Sequence, residues 1–119
     1  MQEGTFKGAI HATKGFSLKT EIIWNDNSVI SENTVFAIMN GSFANVYMPS
    51  ISNDGQQLTI ANTSSGNLTV HAAYGDSFLY KKGSYVRHDT ITIYPWCAKT
   101  FISNGNDWNP ISSESLSYA

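Results

Sequence analysis

Charge is what this sequence has least of. Only 13% of its 119 residues are Asp, Glu, Lys or Arg, against roughly 25% in an average soluble domain. The net charge is −2, and no basic cluster exceeds Lys81-Lys82, so the electrostatic footprint of a nucleic-acid binder is missing. No apolar run approaches the ~18 residues of a membrane-spanning helix. The start, Met1-Gln2-Glu3-Gly4, lacks the basic and apolar regions of a signal peptide. One cysteine, Cys97, excludes an internal disulfide framework. Synthesis and folding in a reducing cytoplasm are therefore expected. Helix signals are scarce as well: there are five Leu, and no eleven-residue window keeps an apolar i, i+3, i+4, i+7 pattern built from good helix formers.

Uncharged polar residues fill the gap, with 15 Ser, 10 Thr and 11 Asn. Such residues are at home in strands and turns, and they also suit a chain whose surface is partly covered by neighbouring copies. Six Phe, six Tyr and three Trp supply large units for burial. The length fits one domain with a true core.

Strand signals recur every eight to twelve residues, the spacing of β-sandwiches. The first covers residues 5–12, with Phe6 and Ile10 on one face, and residues 21–24 follow up to the polar run 25–28. Residues 34–39 are apolar on both faces, Val35, Ala37 and Met39 against Phe36 and Ile38, which predicts cover on both sides. Residues 45–48 are short and run into Pro49. Leu58 and Ile60 alternate with polar or small residues, as do Leu68 and Val70, around the loop 62–66. This predicts a hairpin with Gly66 at positive φ. Phe78 to Tyr80, a turn at 81–84, and a strand over 90–94 with Ile91 and Ile93 inward come next; Pro95 ends that strand. Residues 98–103, the turn Asn104-Gly105-Asn106 and residues 107–111 read as a last hairpin. The expected fold is all-β, an antiparallel sandwich or jelly-roll-like domain spanning residues 1–119. Residues 1–33 read as a less regular arm or attachment segment, 34–112 as the β core and 113–119 as a polar tail. The predicted core or subunit-interface set is Val35, Phe36, Ile38, Leu58, Ile60, Leu68, Val70, Ile91 and Ile93.

Catalytic chemistry finds little footing. His11, His71 and His88 fall on different predicted elements, and none is coupled to Cys97, which reads as a small thiol packed beside Trp96. Their spacing suits no metal site within one chain, though threefold symmetry could gather one His per subunit around an axis. Asp54, Asp76, Asp89 and Asp107 lie in or next to turns, where Asp caps its own backbone. The three glycosylation-type triplets at Asn40, Asn62 and Asn67 are chance matches in so Asn- and Ser/Thr-rich a chain. The reading is a non-enzyme with no cofactor and no metal. Trp24, Tyr74, Trp96 and Trp108 are the candidate surface-binding residues, because a flat ring stacks on a pyranose face.

An ordered series of short motifs runs through residues 46–111. Val46-Tyr47-Met48-Pro49 is followed by Gly55, Leu58-Thr59-Ile60-Ala61-Asn62-Thr63-Ser64, Leu68-Thr69-Val70, Gly75-Asp76, Ile91-Thr92-Ile93 before Pro95, Phe101-Ile102-Ser103-Asn104-Gly105, and Asp107-Trp108. This series resembles the trimeric tail-fibre and virion-appendage proteins of tailed bacteriophages. It departs from them where Pro95 runs into Trp96-Cys97. No long repetitive shaft precedes it, so a stand-alone virion part is expected. The resemblance implies a homotrimer with a core shared around a threefold axis, acting as a head fibre, a capsid decoration, or a tail-fibre or spike piece. Its partners would be other virion proteins and a host surface glycan, its location the virion, and its host-binding loops 62–66 or 104–107. The alternative is a monomeric, lectin-like carbohydrate-binding module, which the exposed aromatics would serve.

Overall fold

The computed structural model describes residues 19–41, 44–52, 54–82 and 84–116, and among them the only regular elements are β-strands. The strand predicted over residues 5–12 and the position of His11 lie outside the described residues. Among the described residues eleven strands form two sheets. Strands β1 (Lys19–Ile23), β3 (Thr34–Met39), β5 (Asp54–Asn62), β7 (Ser77–Lys82), β8 (Ser84–His88), β10 (Cys97–Asn104) and β11 (Asp107–Ser115) make the larger, in the order β1-β3-β5-β10-β11-β7-β8. Strands β2 (Ser28–Val29), β4 (Asn45–Tyr47), β6 (Leu68–His71) and β9 (Thr90–Ile93) make the smaller, in the order β2-β4-β6-β9. β1 and β2 fall inside the stretch expected to be an irregular arm, so from Lys19 onward the chain is already sheet. At the other end β11 carries sheet pairing to Ser115, into the expected polar tail.

The expectation of an antiparallel sandwich is corrected: both sheets are mixed. From β1 to β6 the chain alternates between sheets, and each strand lies parallel to the one two places earlier. β1 pairs with β3 and β3 with β5, as β2 pairs with β4 and β4 with β6. This first half is a flattened coil. The second half closes it with antiparallel pairs, β5–β10, β10–β11, β7–β8 and β6–β9, leaving one short parallel contact between β11 and β7.

A coil needs corners, and asparagine makes several of them. Asn27 (φ 62°) and Asn33 (φ 70°) take the left-handed conformation, which Asn tolerates better than most residues. The Asp26 carboxylate accepts the backbone N–H of Asn27 at 3.1 Å and of Asn45 at 2.9 Å, tying one turn of the coil to the next. Glu21 does the same further along, accepting from the Ser31 N–H, the Ser31 hydroxyl and the Thr34 hydroxyl.

The predicted hairpin around residues 62–66 is also such a corner. β5 and β6 belong to different sheets, and Gly66 is not among the residues at positive φ. The corner is held by Asn62, 1% exposed, whose amide donates to the carbonyls of Gly66, Ile93 and Tyr94 at 2.8, 3.0 and 3.2 Å. Its oxygen accepts from the N–H and hydroxyl of Ser64. The last predicted hairpin, by contrast, is present as β10–β11. Gly105 (φ 95°) makes its turn, and the Asn104 side chain accepts the N–H groups of Asn106 and Asp107.

The core lies between the sheets. The larger contributes Ile23, Ala37, Met39, Leu58, Ile60, Phe78, Phe101 and Trp108, the smaller Val46, Leu68, Val70, Ile91 and Ile93. Phe78 and Phe101 meet with ring centroids 5.5 Å apart and a tilt of 49°, a favoured aromatic geometry. Six of the nine predicted core residues are therefore buried. Val35, Phe36 and Ile38 are only half-buried, so the described residues do not supply the two-sided cover predicted for residues 34–39.

One charge is buried beside this core. Asp107 is 2% exposed, and both its oxygens accept from Arg87 Nε, at 3.0 and 3.2 Å. That hydrogen bond, reinforced by the carboxylate charge, holds the guanidinium pKa above its ordinary value. Removing the cation would leave a carboxylate in the interior without its counter-charge. Arg87→Met is therefore expected to lower the thermal midpoint more than Lys99→Met, whose amine reaches the neutral Ser113 hydroxyl at 3.4 Å. Paired melts followed by circular dichroism check this order.

Candidate interaction surfaces

The outward face of the larger sheet follows from its register. Ile22, Ile38, Ala61 and Ala98 stand side by side across β1, β3, β5 and β10, and Thr20, Phe36, Thr59 and Thr100 form the next row. Gln57 and Ile102 continue it. The hydroxyls of Thr59 and Thr100 lie 2.8 Å apart, as expected for cross-strand neighbours on one face. Ile22 is 49% exposed; Phe36, Ile38, Thr59, Thr100 and Ile102 are half-buried. None of these ten positions carries a charge. Ile111, 56% exposed, is the extra residue of a bulge between Pro110 and Ser112 on β11.

The outer face of the smaller sheet differs in kind. Asn45, Tyr47, Thr69, His71, Thr90 and Thr92 occupy it by register. Tyr47 stacks on His71 at 4.4 Å, and His71 Nε2 shares a hydrogen bond of 2.8 Å with Asn45 Oδ1. That face satisfies its own polar groups and suits water. Across β1, β3, β5 and β10 the larger sheet's outer face is apolar and hydroxylic; its β1–β3 and β3–β5 pairs are parallel, and parallel sheets are generally covered on both faces.

The two ends of the sheets also differ. Ile23, Met39, Asn62 and Cys97 lie in one row, which brings Trp24, Asn40, the 62–66 corner and Trp96 to a common end. At the opposite end Asp54 pairs with Asn104 and Ser77 with Asp107, so the 104–107 turn stands there with the Tyr74 turn. The two loops named as host-binding candidates thus occupy opposite ends.

Of the four aromatics singled out from sequence, Trp24 (63%), Tyr74 (106%) and Trp96 (45%) are exposed. Trp108 is corrected: at 0% exposure it is core, because the β10–β11 register sets it opposite buried Ser103. Trp96, following Pro95, takes φ 56°, a conformation costly for a bulky residue. It forms the turn that carries the chain from β9 into β10, and its carbonyl accepts the Leu116 N–H at 2.7 Å. Cys97 is half-buried between the paired positions Asn62 and Ser115. Among the described residues no three His, Cys, Asp or Glu side chains gather, and no helix is long and apolar enough to cross a membrane.

Ile22, Thr59 and Thr100 help build this uncharged stretch and are absent from the predicted site residues. Their signal is faint: residues out of phase with the core that are nonetheless apolar or hydroxylic on successive strands. No protein-family model matches the chain, and no curated protein is significantly similar to it in sequence.

Proposed function

We propose that this chain is a non-enzymatic structural protein of a tailed-phage virion. It assembles as a homotrimeric β-rich appendage, such as a head fibre, a capsid decoration, or a tail-fibre or spike piece, and meets other virion proteins and the host surface. The observation that supports this best is the uncharged stretch of the larger sheet's outer face across β1, β3, β5 and β10. A sheet face turned to water ordinarily carries charges; these ten positions, of which Ala61 and Ala98 are buried, carry none, and the row through Ala98 meets its first charged residue at Glu114 of β11. Because those positions on β1, β3, β5 and β10 carry no charge, copies of this part of the face meet without like-charge repulsion, and three copies can each turn it towards a common axis. The motif order along residues 46–111 adds the resemblance to phage appendages.

Light scattering on a sizing column, repeated across concentrations, tests the assembly. The expected mass is about three times 13.1 kDa. Ile38→Glu, at the centre of the face, is expected to bring it to the mass of one chain with the circular dichroism spectrum unchanged. A concentration-independent monomer, or a dimer, for the native chain overturns the trimer. Immunogold labelling of intact virions with an antibody to the chain then tests the location.

A further inference from the structure

We infer that the turn between β6 and β7 is a saccharide-binding subsite, with Tyr74 as stacking platform and Asp89 and Ser77 as polar partners for a neutral pyranose. The inference goes beyond the assembly reading, since every residue in it belongs to one chain and it holds for a monomer or a trimer alike.

Tyr74 is 106% exposed, so its ring contributes no burial to the fold. An exposed aromatic alone means little, but this one is held in place. The Asp76 N–H donates to the Ala73 carbonyl at 2.9 Å, closing a turn with Tyr74 and Gly75 at its centre. Gly75 sits at φ 89°, the left-handed third position of a type II turn. The Asp76 carboxylate accepts the Ile51 N–H at 2.9 Å, fastening the turn to the segment after β4. The Ala72 N–H donates to the Asp89 carbonyl at 2.9 Å, fastening it to the segment before β9. The ring is thus presented on a backbone tied at both ends, which lowers the ordering cost of binding.

Beside the ring lies an open cleft of about 450 Å³ that also involves Asp76, Ser77 and Asp89, within the roughly 300–1,000 Å³ of small-molecule sites. The Asp76 carboxylate is engaged by Ile51; that of Asp89 makes no hydrogen bond or ion pair among the described residues and is solvent-exposed. The chemistry then selects the ligand. An apolar C–H face fits an aromatic platform, an acceptor carboxylate and a hydroxyl fit vicinal sugar hydroxyls, and two carboxylates repel anionic sugars. A single ring is less than the several that cage an alkylammonium, so a neutral sugar is favoured over a cation.

Saturation-transfer NMR on the full chain tests the subsite. The probes are the methyl glycosides of glucose, galactose and N-acetylglucosamine, each at about 10 mM, a concentration suited to millimolar binding. Transfer to the ring protons of at least one is expected. It should be lost in Tyr74→Ala, kept in Tyr74→Trp, weakened several-fold in Asp89→Asn and unchanged in Trp24→Ala, which alters the opposite end. Native mass and the circular dichroism spectrum should stay the same in Tyr74→Ala, so failure here is distinct from failure of the assembly. Absence of transfer to all three sugars, transfer that survives Tyr74→Ala, or binding of tetramethylammonium alone overturns the subsite.

Discussion

Trp108→Ala is expected to lower the unfolding free energy by about 3–5 kcal/mol, the range for truncating a buried aromatic. A domain of this size has only about 5–15 kcal/mol in all, so the variant should be close to unfolded at 37 °C. The position makes the loss more than a cavity. β11 touches β7 through two paired positions, Asp107 with Ser77 and Trp108 with Phe78. The β7–β8 hairpin is joined to the larger sheet through that short contact. Phe78 in turn packs on Phe101. Removing the indole should loosen the hairpin first, and its amides should lose hydrogen-exchange protection before those of β5 and β10. Trp108→Phe should be much milder, about 1–2 kcal/mol. The buried indole N–H finds no acceptor among the described residues, so phenylalanine removes an unsatisfied donor as well as volume. Urea midpoints for the two variants check the order. Equal, small losses in both would mean that Trp108 does not hold this corner together.

The all-β class was legible in the sequence because alternation reports directly which side of a strand is buried. It identified β9, with Ile91 and Ile93 inward, and it identified the β10–β11 hairpin, whose Asn-Gly turn has a local geometry of its own. Alternation says nothing about which strand lies alongside. Leu58-Thr59-Ile60 and Leu68-Thr69-Val70 have the same pattern whether they form a hairpin or lie on facing sheets. The deciding interactions are the hydrogen bonds of Asn62 to Ile93 and Tyr94, 31 and 32 residues away. No short window contains them. The parallel pairs β1–β3 and β3–β5 are non-local in the same way, and local alternation cannot distinguish them from antiparallel neighbours.

Asparagine, serine and threonine build the corners: Asn27 and Asn33 take left-handed backbone, Asn104 caps two N–H groups, and Ser28 and Thr63 donate to the Asn25 and Met39 carbonyls. The scarcity of charge has a separate expression in the face through Ile22, Ile38, Thr59 and Thr100. The exposed aromatics were only partly legible, since Tyr74, Trp24 and Trp96 reach solvent whereas Trp108 has the same kind of turn-flanked sequence and lies inside. Sequence places an aromatic at a strand end; register decides whether it points into the core.

Asn62→Asp is expected to be the most damaging single change relative to its size. The two side chains have nearly the same shape, so packing is preserved and the effect isolates hydrogen bonding. The amide nitrogen faces the carbonyls of Gly66, Ile93 and Tyr94; a carboxylate would set an anionic oxygen against three acceptors in a site 1% exposed. A buried charge without a partner is penalised by several kcal/mol, so a loss of about 4 kcal/mol or more at neutral pH is expected. Burial raises the introduced carboxyl's pKa above its unfolded value of about 3.9. The gap to the native chain should therefore be smallest below that value and widen as pH rises towards the raised pKa. A protonated carboxyl can donate to one of the three carbonyls, which gives the narrowing a structural cause. Asn62→Leu supplies the contrast: it fills the space, leaves the same carbonyls unpaired and should cost about 2–4 kcal/mol, with no such pH dependence. Urea unfolding of both variants against the native chain at several pH values separates the cases. A pH-independent gap for Asn62→Asp would mean that the corner opens to water, and that Asn62 does not bridge the two sheets.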